Sequence, residues 1–161
     1  NKLHYGINLF YINGENIISP QMVDGRRMNI NTGKIENWGA EANAAYRIHP
    51  EWNITANYSW LRMVHPIVAA PEHKLFIGAD FTRGRWSAST GVQYVAGLYT
   101  TVDPVEKKES FVQWNARVSY RLSPFTHVFV RGENLLAQRY EINDGFPMPK
   151  ATFMGGINLH F

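Results

Sequence analysis

The chain has 161 residues, 45% of them hydrophobic and 14% aromatic, with a formal net charge of +3 and no cysteine. Mean hydropathy is −0.30, and no apolar run reaches the ~18 residues of a membrane helix, which excludes helical spans but not a transmembrane barrel. Without a thiol there is no disulfide, zinc–thiolate site or cysteine nucleophile, and a small charge with no basic run gives no reason to expect nucleic acid.

Eight stretches alternate between an apolar and a polar face, the two-residue period of a strand. The first places Leu3, Tyr5, Ile7, Leu9 and Tyr11 on the apolar face. The second places Trp38, Ala40, Ala42, Ala44, Tyr46 and Ile48 there, and the third Trp52, Ile54, Ala56, Tyr58 and Trp60. The fourth follows with Leu75, Ile77, Ala79 and Phe81, and the fifth with Trp86, Ala88, Thr90, Val92 and Tyr94. The sixth runs from Val112 through Trp114 and Tyr120 to Leu122. In the seventh, Phe129 and Val130 lie on opposite faces; because Arg131 and Glu133 share one face, Val128, Val130 and Gly132 take the apolar one. The eighth is Lys150–Phe161, with Ala151, Phe153, Gly155, Ile157, Leu159 and Phe161 on the apolar face. No apolar face carries a charge. The alternation alone does not say which face is inside.

Connections and aromatics decide it. The links after the second, fourth and sixth strands are tight (49–51, 82–85, 123–126), and those after the others are long, at 13–34, 62–72, 100–110 and 137–149. Strict alternation gathers the tight turns at one end and the long loops at the other, the asymmetry of bacterial outer-membrane barrels. On the apolar faces Trp38 and Tyr46, Trp52 and Trp60, and Trp86 and Tyr94 each stand eight residues apart. At ~3.3 Å per residue and a tilt of ~40°, that spans roughly 20 Å, near the ~25 Å apolar band of such barrels. These residues and Trp114 are read as two aromatic girdles facing lipid. The expected fold is all-β: an antiparallel up-and-down transmembrane β-barrel segment of eight strands. Inward glycines (Gly6, Gly39, Gly78, Gly91, Gly156) mark close approach from the lumen or strong curvature.

No arrangement for catalysis, metal or a cofactor stands out, so no enzyme activity is expected. Candidate ligand contacts lie in the long loops: Arg26, Arg27, His65, Tyr99, Arg139 and Tyr140, with the two neighbouring arginines ranked first for an anionic cargo.

The stretch from Asn134 to Phe161 also resembles the C-terminus of TonB-dependent outer-membrane receptors. It carries Asn134-Leu135 at the end of the penultimate strand and Tyr140 shortly after. Gly145-Phe146-Pro147-Met148-Pro149 follows in the last loop, then a glycine-containing strand ending in Phe161. Asn37-Trp38-Gly39-Ala40-Glu41 is similar to a strand start of the family. Lys150-Ala151 departs from the Gly-Arg usual after the second proline.

The resemblance implies a barrel of about 22 strands with a plugged lumen, of which residues 1–161 are the C-terminal segment without the plug domain. It implies energised uptake of a scarce nutrient, a ferric siderophore, haem or cobalamin, across the Gram-negative outer membrane. The implied partners are membrane lipid, the receptor's own plug, the TonB energising complex and a small-molecule cargo. The barrel-assembly machinery joins them, reading Phe153, Ile157, Leu159 and Phe161. Three rival readings stand beside this one: a complete eight-stranded outer-membrane protein (adhesin, pore or lipid enzyme), a soluble lipocalin-like barrel with its apolar face inward, and a truncated fragment with an open edge.

Overall fold

A computed structural model of the chain describes residues 2–102 and 105–159, and their side chains except at 19–22, 27 and 32. Ten strands follow in order: β1 (Leu3–Val23), β2 (Arg26–His49), β3 (Trp52–Met63), β4 (His73–Arg83), β5 (Trp86–Thr101), β6 (Lys107–Ser123), β7 (Thr126–Glu133), β8 (Glu141–Asn143), β9 (Phe146–Pro147) and β10 (Thr152–Leu159). Eight of them form one antiparallel sheet in the order β1-β2-β3-β4-β5-β6-β7-β10, each beside its chain neighbour; β8 and β9 form a small ribbon within the last loop.

Among the described residues the sheet is open: β1 and β10 are its two edges, and no pairing between them closes an eight-stranded barrel. The predicted faces hold across every ladder. Leu9 pairs with Ala40 and Ala40 with Trp60; Tyr58 pairs with Leu75, Leu75 with Tyr94, and Tyr94 with Val112. Val118 pairs with Val130 and Val130 with Gly155, which settles the seventh strand as the charge argument has it. This face is bare, with Ile7 77%, Phe153 70% and Ile157 65% exposed. A soluble sheet would cover such side chains.

The girdle residues also step through the register. Trp38 lies opposite Arg62, two positions beyond Trp60; Tyr94 lies two positions below the partner of His73, which is level with Trp60; Trp114 lies two below the partner of Tyr94. At the tight-turn end, Tyr46 pairs with Ile54, two positions from Trp52; Trp52 pairs with Phe81, Phe81 with Ala88, two positions from Trp86, and Trp86 with Tyr120. From β2 to β6 the two belts therefore shift by six and four residues in the same direction. Two level belts on a staggered ladder require tilted strands. About five residues of ~3.3 Å over four spacings of ~4.8 Å give a tilt of about 40°, the value of a barrel wall. Ring contacts tie the belts together: Tyr11–Trp38 at 4.3 Å, Trp52–Phe81 at 4.8 Å and Trp86–Tyr120 at 4.7 Å between centroids.

The polar-face glycines have a local explanation. A Cβ at Gly39 would stand 2.0 Å from the Phe10 ring, at Gly91 2.6 Å from Phe76, and at Gly156 2.7 Å from Phe129. Each phenylalanine lies over a neighbouring strand's glycine, so the close approach comes from within the sheet.

The expected long loops are partly strand. The segment 13–34 continues the β1–β2 ladder to Val23–Arg26, with register breaks between Gly14 and Ile18. Asp24 and Gly25 close it with positive φ at both positions (50° and 73°), as a two-residue hairpin requires. From Tyr11 to Val23 this ribbon runs roughly 40 Å past the girdle, at ~3.3 Å per residue.

Candidate functional site: the loop cluster over the sheet

The buried core of the described residues lies at the long-loop end, outside the span between the girdles. It consists of Val95, Leu98, Phe111 and Tyr140, with Ile142 and Met148 packed against them. Three loops meet there.

The β3–β4 loop is held by Glu72. Its carboxylate accepts hydrogen bonds from Lys108 Nζ at 2.8 Å and from the Tyr99 hydroxyl at 3.4 Å, and Lys108 sits 4.4 Å from the centre of the Tyr99 ring. Gly97, at φ +64°, bulges β5 where Glu72 needs room: a Cβ there would stand 2.5 Å from Glu72 Oε2. The backbone of the same loop donates from Ala69 to the Tyr99 carbonyl at 2.8 Å.

The last loop is anchored by Asn134. Asn134 is 3% exposed and adopts φ +48°, the left-handed turn that ends β7. Its main-chain N–H donates to Asn115 Oδ1 at 2.9 Å. Its side-chain amide donates to the carbonyls of Gln138 (2.9 Å) and Pro149 (3.0 Å), and its Oδ1 accepts from the Gln138 N–H at 3.1 Å. Gly132 leaves space for Leu135, whose Cδ2 would be 2.6 Å from a Cβ there. Farther along, Tyr140 stacks on Phe111 at 3.9 Å with 23° between planes, and its hydroxyl accepts a hydrogen bond from Gln113. Lys107 pairs with both Asp144 oxygens at 2.8 and 3.0 Å.

Charges follow from these contacts. The Asp144 hydrogen bond and charge hold the Lys107 ammonium above its usual range, and the Glu72 hydrogen bond does the same to Lys108. Burial pushes the Tyr140 phenol up. A recess of about 400 Å³ beside this core is lined by Glu109, Arg139, Tyr140, Glu141, Met148 and Lys150 among others. Its two acids are engaged by backbone: Glu109 accepts from the Glu141 N–H at 2.6 Å, and Glu141 from the Gly145 N–H at 2.7 Å. Arg139 and Lys150 form no ion pair among the described residues.

The predicted ligand residues do not converge. Arg26 stands exposed at the hairpin tip and His65 exposed in the β3–β4 loop. Arg139 borders the recess. The Arg27 side chain and Phe161 lie outside the described residues. Tyr99 and Tyr140, each 6% exposed, are part of the loop core, with their hydroxyls already engaged. Glu72, Lys107, Lys108 and Asp144 are the residues sequence reasoning passes over. Their partners are 36 and 37 positions apart, and nothing local marks them.

On the polar face, Asp80, Arg117, Arg131 and Glu133 surround a recess of about 440 Å³. Arg131 is paired with Glu133, and the Arg117 guanidinium lies 4.2 Å from the centre of the Phe129 ring. Among the described residues no cluster of three or more His, Asp or Glu has metal-site geometry.

The family described as TonB dependent receptor-like, beta-barrel matches residues 1–135. The chain belongs to this TonB-dependent receptor-like β-barrel family. Solved structures agree on the fold. The copper transporter OprC superposes with a TM-score of 0.80 at 18% identity, over 100% of this chain and 29% of that one. The ferric-catecholate import receptor Fiu from E. coli K12, in its closed form, gives 0.72 at 20% identity, over 99% and 25%. The ferripyoverdine receptor of the outer membrane of Pseudomonas aeruginosa, bound to ferripyoverdine, gives 0.66 at 17%, over 98% and 25%. All three are transporters or receptors by name. The chain spans under a third of the length of each, as expected of an open portion of a receptor barrel. No curated protein matches.

Proposed function

We propose that this chain is the C-terminal wall of an outer-membrane receptor that imports an anionic metal chelate, of the ferric siderophore type, with energy delivered through TonB. The apolar face meets lipid, the tight turns face the periplasm and the loop cluster faces outward. The polar face, with its recess around Asp80, Arg117 and Arg131, seats the plug domain. β10, with Phe153, Ile157 and Leu159 on its apolar face, is what the assembly machinery engages, and Phe161 completes that signal.

The choice of an anionic cargo rests on one observation. In the recess at the last loop each acid is turned to a backbone N–H, while Arg139 and Lys150 form no ion pair among the described residues and so can meet an anion from outside. Arg26, Arg27 and His65 supply outer contacts. Tyr140 lines the recess, and Tyr99 holds the neighbouring Glu72–Lys108 contact.

The test uses the full-length native protein and compares a ferric tricatecholate with neutral cobalamin. Arg139→Gln and Lys150→Gln should each weaken the ferric chelate about three- to fivefold, the worth of an exposed charge pair, and leave cobalamin unchanged. Equal effects on both ligands, or none on the chelate, defeat the anionic assignment. Failure of the full-length protein to support growth on any ferric chelate, haem or cobalamin defeats the uptake reading.

A further inference from the structure

The two ends of the wall differ in charge. Beyond the belt at the long-loop end, acids and bases are mixed and pair with one another: Glu15 with Lys34, Glu72 with Lys108, Asp144 with Lys107. Beyond the belt at the tight-turn end, among the described residues, Lys2, Arg47, Arg83, Arg85 and Arg121 stand against a single acid, Glu51. Glu51 is already engaged. Its carboxylate meets Arg83 Nε at 3.5 Å and His49 Nδ1 at 3.9 Å.

The register sets the remaining cations side by side. Arg47 donates its main-chain N–H to the Lys2 carbonyl, and Arg121 donates to the Arg85 carbonyl, each at 2.8 Å. Each pair therefore occupies opposite positions on neighbouring strands, where like charges repel. Lys2, Arg47 and Arg121 have the parity of the polar face, so both pairs stand on the lumen side of the rim. Four strand spacings of ~4.8 Å separate them, about 19 Å. Arg121 is steadied by a neutral group, its guanidinium donating to the Gly84 carbonyl at 3.2 Å. Arg47, Arg85 and Arg121 are exposed, and none of them forms an ion pair among the described residues.

The sheet thus carries two like-charge pairs at one rim and turns no carboxylate to either. Such a rim is complementary to an anionic surface that arrives from outside the sheet. The spacing selects its kind: two cationic pairs about 19 Å apart match a polypeptide bearing several carboxylates, not one small anion. The exposure selects its mode. Solvated charges attract over about a Debye length, ~8 Å at physiological salt, and raise the rate of encounter, which suits a contact that forms and breaks.

We infer that the tight-turn rim docks an acidic segment of a separate periplasmic protein, with carboxylates at Lys2–Arg47 and at Arg85–Arg121. The inference rests on the reading that the tight turns face the periplasm.

The experiment uses the full-length native protein in nonionic detergent, with a fluorescent decaglutamate peptide as probe and fluorescence anisotropy as readout. Extended, the peptide spans roughly 33 Å and reaches both pairs. It should bind at low salt and be released at about 0.5 M salt, where charges are screened within a few ångströms. Arg47→Gln and Arg121→Gln should each weaken it about two- to fivefold, and together by the product, since distant sites act independently. Lys34→Gln, at the opposite end of the wall, should change nothing. Unchanged binding in both arginine variants, or an equal loss in Lys34→Gln, overturns the site. Inorganic phosphate that displaces the peptide at equal charge concentration overturns the polypeptide assignment. A membrane-impermeant maleimide on Phe125→Cys, in the β6–β7 turn, separates these failures from that of the orientation. If it reacts in intact cells, the tight turns face outward, and the reading and the docking fail together. If it reacts only after the outer membrane is permeabilised, the orientation holds and the peptide result judges the docking alone.

Discussion

Replacing Asn134 with alanine should release the last loop while leaving the wall intact. The side chain makes three hydrogen bonds in a site 3% exposed, joining Gln138 and Pro149 to the end of β7. At about 1 kcal/mol each, their loss is worth roughly 3 kcal/mol, and the orphaned Gln138 N–H and two carbonyls recover part of that only if water enters. Alanine at φ +48° adds about 1 kcal/mol, because only glycine and asparagine visit that region readily. The sum, about 4 kcal/mol, corresponds to loop opening increased by up to roughly a thousandfold. Hydrogen exchange by mass spectrometry on the full-length protein would show it as faster exchange over 138–148, with the β3–β6 ladders unchanged. Asn134→Gly should lose less than alanine, since it keeps the backbone conformation and forfeits only the hydrogen bonds. If the alanine variant exchanges like the parent, the network does not hold the loop. If glycine and alanine are equally damaging, the backbone part of the argument is wrong.

Gly39→Val should destabilise the wall by about 1–3 kcal/mol, because its branched side chain must displace the Phe10 ring; combining it with Phe10→Ala should restore part of the loss in a denaturant titration. Removing Glu72 as Glu72→Gln should free the β3–β4 loop to proteolysis, but with a modest cost of about 1 kcal/mol or less that shrinks further in high salt, since the Lys108 partner is exposed. The loop cluster should also loosen at alkaline pH. Both lysines titrate higher folded than unfolded, so their contribution is complete below about pH 10.5 and is lost as pH rises through the folded values. The raised Tyr140 phenol acts in the same sense, because the unfolded chain gives up that proton first. A fluorophore at Phe146→Cys should report a transition above pH 10 and none between pH 7 and 9. A transition near neutrality would mean that other groups control the loop.

The wall was legible because two periods coincide in it. Alternation fixes each strand's faces, and a bare apolar face leaves no freedom in how neighbouring strands align. Even the uncertain strand yielded to charge, since Arg131 and Glu133 had to share the face on which they now pair. The segment 13–34 is ladder rather than the expected long loop for a related reason. Gly14, Glu15 and Asn16 interrupt the alternation, and the ladder resumes past them in a shifted register. Asp24-Gly25 was the signal for the hairpin, since this pair favours the two-residue turn found there.

The loop cluster was hidden because its residues act across loops. Tyr140 looks like a ligand residue when judged by chemistry and position alone. It is buried because Phe111, 29 positions earlier and on the polar face of β6, turns its ring to meet it. The same reasoning shows why Asn134 was legible at all. Its neighbours Gly132 and Leu135 are constrained by one turn, so the Asn134-Leu135 pair stands out locally although its work is done at Pro149, fifteen residues away. A change that spares the motif but lengthens the loop, such as two glycines inserted after Gly145, should therefore keep β7 and the Asn134 bonds. It should weaken the Lys107–Asp144 tie, which depends on the loop's reach rather than on its anchor.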